Sequence, residues 1–120
     1  AVGAGGAAVS APRAVREGDF RRQVLESVPE KSFQTQVVRE AKGRGWLVFY
    51  TTIALRSPEG FLDLLFLRGQ RLVVAELKRY GGKVTEKQRL WLFYWWQSGR
   101  CDGPFVWDAS CWLQIGAVLR

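Results

Sequence analysis

Histidine is absent from all 120 residues of this chain, methionine is absent too, and cysteine occurs only twice. Without an imidazole there is no Ser-His-Asp triad, no Cys-His nucleophile, no His-ligated zinc and no histidine general base. Cys101 and Cys111 lack C-x-x-C spacing, so they suggest neither a zinc site nor a disulfide framework, and a reduced, cytoplasmic setting is expected. No apolar run reaches membrane-spanning length, and the Ala/Gly-rich start lacks a basic n-region, so neither anchor nor signal peptide is expected. Position 1 is alanine, and the numbered chain is expected to be a processed or truncated product.

What is present is positive charge. Lys and Arg number 18 against 11 Asp and Glu, a formal +7, which favours a polyanionic partner such as nucleic acid. The length suits one small domain with a single core. Residues 1–18, "AVGAGGAAVSAPRAVREG", are small and show no amphipathic period, so they read as a disordered leader ahead of one domain over 19–120.

Along that domain, Ser27 and Glu30 have capping-box spacing with Pro29 between them, and Gly43 and Gly45 close the segment, which predicts a helix over about 28–43. Its face of Glu30, Gln34, Val37 and Ala41 is polar at the start and apolar after. "WLVFYTT" predicts a strand. "FLDLLFL" and "RLVVAELK", joined by "RGQ", predict a hairpin covered on both faces. Thr85 and Gln88 repeat the capping-box spacing before a helix over about 86–98 that ends at Gly99. "PFVW" predicts a strand, and "DASCWLQIGAVLR" a helix capped by Asp108 or Ser110. The order α-β-β-β-α-β-α is an α/β layer fold with helices on a mixed sheet.

Three polar residues interrupt the hairpin. Glu76 and Lys78 are two apart on a strand and share a face, and the short turn brings Asp63 beside them. Carboxylates this close repel, more so when buried, unless a divalent cation neutralises them; hard oxygen ligands suit Mg²⁺ or Mn²⁺. Such an ion can activate water without histidine, and Lys78 complements it. The plainer alternative is an acid ending a strand and an edge ion pair of little worth.

Asp63, a twelve-residue gap, then Glu76-Leu77-Lys78 resembles the PD-(D/E)XK nuclease signature, and the ordered set with "GFLDLL", "TEKQ" and "VWDASCW" resembles its VRR-NUC branch over about residues 29–119. The resemblance implies a restriction-endonuclease-like core and a metal-dependent endonuclease acting on branched or structured DNA, such as Holliday junctions. In it Asp63 and Glu76 are metal ligands, the Leu77 carbonyl helps, and Lys78 is the catalytic lysine. Glu30 completes the metal shell, directly or through water, or else caps its helix with Ser27. Gln34 and Gln88 match the family's helical glutamines, as second-sphere or substrate-orienting groups, and Gln88 can also serve the Thr85 cap. Leu62 stands where the signature has proline. Tyr50 stands where similar chains often have histidine, and a tyrosine cannot carry protons at neutral pH as imidazole does. Competing readings are a nucleic-acid-binding module that keeps this fold without cleavage, and an interaction domain.

Arg56, Arg79, Lys83, Lys87 and Arg89 lie in loops or a helix start near the acids and are candidate DNA contacts. In "RLWLFYWWQSG", Trp91, Leu92 and Trp95 follow Gln88 at helical spacing and should face inward, leaving Phe93, Tyr94 and Trp96 outward. No Arg or Lys interleaves them, so the patch points to a homodimer rather than to base stacking, unless the last helix, around Trp112 and Ile115, covers it.

Overall fold

The apolar runs on either side of Gly69-Gln70 pair as a tight hairpin, and everything else is laid on it. A computed structural model describes residues 13–50 and 59–120, with side chains from residue 18 onward. Its elements are helices α1 (Arg13–Glu26) and α2 (Glu30–Gly43), strands β1 (Leu47–Tyr50), β2 (Leu64–Arg68) and β3 (Arg71–Leu77), helix α3 (Glu86–Ser98), strand β4 (Asp102–Trp107), a short 3-10 turn (Ala109–Cys111) and helix α4 (Trp112–Val118). The described strands form one four-stranded mixed sheet in the order β1-β2-β3-β4. β1, β2 and β3 are antiparallel neighbours, and β4 runs parallel to β3. The chain is thus an α/β fold with helices flanking a mixed sheet.

Strand pairing decides which residues share a face. Leu64 lies opposite Ala75 and Phe66 opposite Val73, so these four point to one side, and Val48 joins them from β1. That side packs on Phe33, Val37 and Ala41 of α2 and on Ile115 and Leu119 at the carboxyl end, with Trp46 and Trp107 closing the cluster. Each large side chain fully removed from water here contributes about 1.5–3 kcal/mol. The other side is covered unevenly. Val74 and Glu76 are buried, whereas Leu67 on β2 and Leu47 and Phe49 on the β1 edge are exposed, so the expectation of a hairpin covered on both faces holds for β3 from Val73 to Leu77 and fails on β2 at Leu67.

Two expectations need correction. A helix, α1, begins at Arg13, inside the stretch read as a leader, and adds an element to the expected order. It has no apolar stripe to announce it; Arg, Glu, Gln, Ala and Leu carry it by propensity, helped by an exposed Asp19–Arg22 pair at 3.7 Å. Residues 1–12 lie outside the described residues. The Ser27/Glu30 capping box does not form. Ser27 sits at the end of α1, where its hydroxyl donates to the Val24 carbonyl at 2.6 Å, and Pro29 takes the N-cap position of α2 with no side-chain cap. The β1 strand ends at Tyr50, and residues 51–58 lie outside the described residues. Neither Asp108 nor Ser110 caps the last helix: Asp108 caps the 3-10 turn before it, its side chain accepting from the Ser110 N–H at 2.8 Å, and α4 has Cys111 at its N-cap with no side-chain cap. Among the described residues no helix is long and apolar enough to cross a membrane.

Candidate active site

The two-residue turn fixes register, and register builds the site. With Leu64 opposite Ala75, the preceding residue Asp63 falls at the end of the sheet beside Glu76, as the hairpin reading expects. Asp63 Oδ2 accepts a hydrogen bond from the Leu77 N–H at 2.9 Å. The resemblance assigns Leu77 a role through its carbonyl; the bond seen at that residue is through its amide. Lys78 follows directly on β3 and its N–H donates to the Trp107 carbonyl at 2.8 Å, which anchors the site to β4.

Glu76 is 1% exposed, the only buried charged residue among those described. Its Oε2 accepts from Gln88 Nε2 at 2.6 Å and lies 3.5 Å from Lys78 Nζ. Its Oε1 is buried with no hydrogen-bond partner among the described residues. Burial, and after it the negative charge of Asp63, push the Glu76 carboxyl up to about 8, against the opposing pull of Lys78. A divalent cation bound between these two acids would take the place of that proton and remove the repulsion.

Gln88 reaches Glu76 from the first turn of α3. Thr85 Oγ1 accepts from the Gln88 N–H at 3.1 Å, and the Thr85 N–H donates to Gln88 Oε1 at 3.0 Å, a reciprocal cap. The cap and the contact with Glu76 coexist. On the other side, Glu30, Gln34 and Tyr50 line a cavity of about 680 Å³ together with Asp63. Glu30 is exposed and free of the capping role expected as an alternative. It shares this cavity with Asp63, but among the described residues no three acidic or thiol side chains are gathered closely enough to hold a metal ion. The sheet end therefore brings together Asp63, Glu76, Lys78 and Gln88, with Glu30 and Gln34 one cavity away.

No family model, curated protein or solved structure matches the chain. The chemistry of the site accordingly rests on its own geometry.

The surface residues are placed less uniformly. Arg56 lies outside the described residues. Arg79 donates to the Glu26 carbonyl at 3.2 Å and so ties the end of α1 to the loop after Lys78. Lys87 pairs with Glu59 at 2.7 Å, both exposed, while Lys83 and Arg89 are exposed. On α3, Gln88, Trp91, Leu92 and Trp95 are half-buried and Phe93, Tyr94 and Trp96 are exposed, the last at 67%. The last helix leaves them open, because Ile115 packs into the core cluster around α2.

One residue the sequence reading passed over is Gly60. It has φ +86°, and a Cβ there would lie 2.6 Å from the backbone of Lys87, so the loop leading to Asp63 closes directly on the first turn of α3. Phe61 adds an edge-to-face contact with Trp91, ring centroids 5.0 Å apart. Gly60 ahead of "FLD" was the only signal of this approach.

Proposed function

We propose that this chain is a divalent-metal-dependent DNA endonuclease with a restriction-endonuclease-like core, of the VRR-NUC kind its motifs resemble. The observation that supports it most is the pair Asp63 and Glu76 with Lys78 alongside and Glu76 Oε1 buried without a partner. Asp63 and Glu76 would hold Mg²⁺ or Mn²⁺, with the Leu77 carbonyl and, through the shared cavity, Glu30 as further ligands. Such an ion, when bound, polarises a phosphodiester and makes water a nucleophile near neutral pH. Asp63 is held in place by the Leu77 N–H. Lys78, 15% exposed, places its Nζ 3.5 Å from Glu76 Oε2, where it would stabilise negative charge building on phosphoryl oxygens. Gln34 lines the cavity beside Asp63 and orients substrate or water there. None of these roles requires an imidazole, which suits a chain without histidine.

The net charge of +7 and the basic residues Arg56, Arg79, Lys83, Lys87 and Arg89 favour DNA as the substrate. The exposed face of Phe93, Tyr94 and Trp96 favours a homodimer, which would carry two sites and suit branched DNA such as a four-way junction. A second reading, a nucleic-acid-binding or interaction module without cleavage, draws support from Glu30 standing apart from the acid pair.

Labelled junction, flap and duplex DNA, incubated with Mg²⁺, Mn²⁺ or chelator, test the proposal. Nicking is expected only with metal. Asp63→Ala, Glu76→Ala and Lys78→Ala should each lower it at least about a hundredfold while DNA binding and fold persist. Binding without cleavage of any substrate in either metal would establish the second reading instead.

A further inference from the structure

One stripe of α3 starts at the acid pair and carries no charge along its length. Gln88, Trp91, Tyr94, Trp95 and Ser98 recur at three- and four-residue spacing and so lie along one face of the helix. Gln88, at its head, donates to Glu76 Oε2; Tyr94 and Trp95 stand about 10 Å farther along the helix axis. There Trp91, Tyr94, Trp95 and Ser98 line a cavity of about 270 Å³ together with Arg100. Arg100 lies beyond the helix, past the left-handed turn at Gly99, and two hydrogen bonds hold its backbone to this face. Ser98 Oγ donates to the Trp95 carbonyl at 2.7 Å and accepts from the Arg100 N–H at 3.2 Å. The Arg100 guanidinium has no hydrogen-bond or ion-pair partner among the described residues, and no acidic residue lines the cavity. Base stacking looked unsuited to this run because no Arg or Lys falls between Leu90 and Gln97. The turn supplies one from outside it.

We propose that the cavity of Trp91, Tyr94, Trp95 and Arg100 is a stacking subsite for an unpaired nucleobase, a few nucleotides from the acid pair on the bound strand. This rests on the reading of DNA as the substrate and narrows it to DNA with a single-stranded segment. Every base has a flat π-face that an aromatic side chain can cover, whatever the sequence. In a duplex those faces are already covered by neighbouring base pairs, so only an unpaired base can enter. The arginine completes the match, because its planar cation pairs with the phosphate that accompanies each base or lies flat on the base itself. Phe93 and Trp96 line a different groove and stay available to the face assigned to self-association, while Tyr94 borders both.

Affinity is measured on the whole chain in chelator, so that no cutting intervenes, for a duplex with a single-stranded overhang and for the same DNA with abasic sites along the overhang. The two carry equal phosphate charge, so counterion release cancels and the ratio reports the bases. The parent is expected to bind the overhang with bases about fivefold or more tighter than the abasic one. Tyr94→Ala is expected to remove most of that ratio and Tyr94→Phe to keep it. Arg100→Gln is expected to weaken binding of the overhang with bases. Equal affinities in the parent, or the parental ratio in Tyr94→Ala, overturn the inference. Sedimentation of Tyr94→Ala tests the other occupant, a second copy of the chain: altered sedimentation with the ratio intact assigns the cavity to that contact and overturns the subsite. If both change, Arg100→Gln decides, and parental affinity there overturns the subsite. Nicking in Mg²⁺ keeps the two readings apart. A chain that prefers bases and never nicks overturns the nuclease reading and leaves the subsite; one that nicks without the preference overturns the subsite alone.

Discussion

Glu76 gives the metal-free chain a pH dependence of definite sign. Its carboxyl, raised to about 8 from an ordinary 4.5 by burial and then by Asp63, keeps its proton in the folded chain after the unfolded chain has lost it. The stability that this proton contributes is complete below the unfolded value and disappears as pH rises through the folded one. Thermal melts in chelator should therefore fall between about pH 5 and pH 9, with at most about 1.4 kcal/mol per pH unit from this group. Glu76→Gln should remove that slope, and saturating Mn²⁺ should flatten it, since the cation takes the place of the proton. A slope unchanged by Glu76→Gln would assign it to another group. Gly60 makes a second residue-scale case. Gly60→Ala forces an unfavourable φ, costing about 1–2 kcal/mol, and drives a methyl group into the Lys87 backbone one residue before Gln88. Chemical denaturation should show a loss of about 2 kcal/mol or more, with weaker Mn²⁺ binding as the mark of a displaced α3.

At the scale of elements, the end of the hairpin away from the site is a clamp on the carboxyl terminus. Arg68 and Arg71 stack over Trp46, 4.4 and 5.0 Å from the ring centre. Arg71 donates to the Val118 carbonyl at 2.8 Å, Trp46 Nε1 to the Leu119 carbonyl at 2.9 Å, and Arg68 to the Arg120 carbonyl. These donors satisfy carbonyls that a helix end leaves open. Trp46→Phe keeps an aromatic ring beneath the arginines and leaves the Leu119 carbonyl only the longer contact with Arg68 Nη1 at 3.4 Å, so urea unfolding should show a loss of about 1 kcal/mol, with the proposed nicking activity unchanged. Legibility follows the range of the forces involved. α3 could be read to the residue because its cap, Thr85 with Gln88, and its stop, Gly99 at φ +63°, are local chemistry. Asp63, Glu76 and Lys78 could be brought together because a two-residue turn leaves the hairpin one register. The Ser27–Glu30 spacing misled because the same four-residue pattern arises when one helix ends just before another begins. α1 had no apolar period to detect, and the approach of Gly60 to Lys87 depends on tertiary packing that no local pattern carries.

At the scale of the whole molecule, the open aromatic face of α3 is the surface on which the proposed homodimer rests. Phe93 and Trp96 border a groove of about 320 Å³ between α3 and β4, also lined by Arg89, Leu92, Pro104 and Val106. In the proposed homodimer, an exposed tryptophan on one chain would enter the mostly apolar groove of the other about a two-fold axis. Sedimentation at micromolar concentration should find two-chain species, and Phe93→Asp or Trp96→Asp should yield a folded monomer. A strict monomer, unaffected by either substitution, would remove the paired-site arrangement and leave the single site in place.

α3 carries that face and, one to two turns earlier, the glutamine that grips Glu76. The proposed self-association and ion uptake would consequently draw on the order of one and the same helix. By thermodynamic reciprocity, whatever association does to the affinity for the ion, the ion must do to association by the same factor. The aromatic patch and the acid pair, separate as surfaces, would then be two ends of a single linked equilibrium.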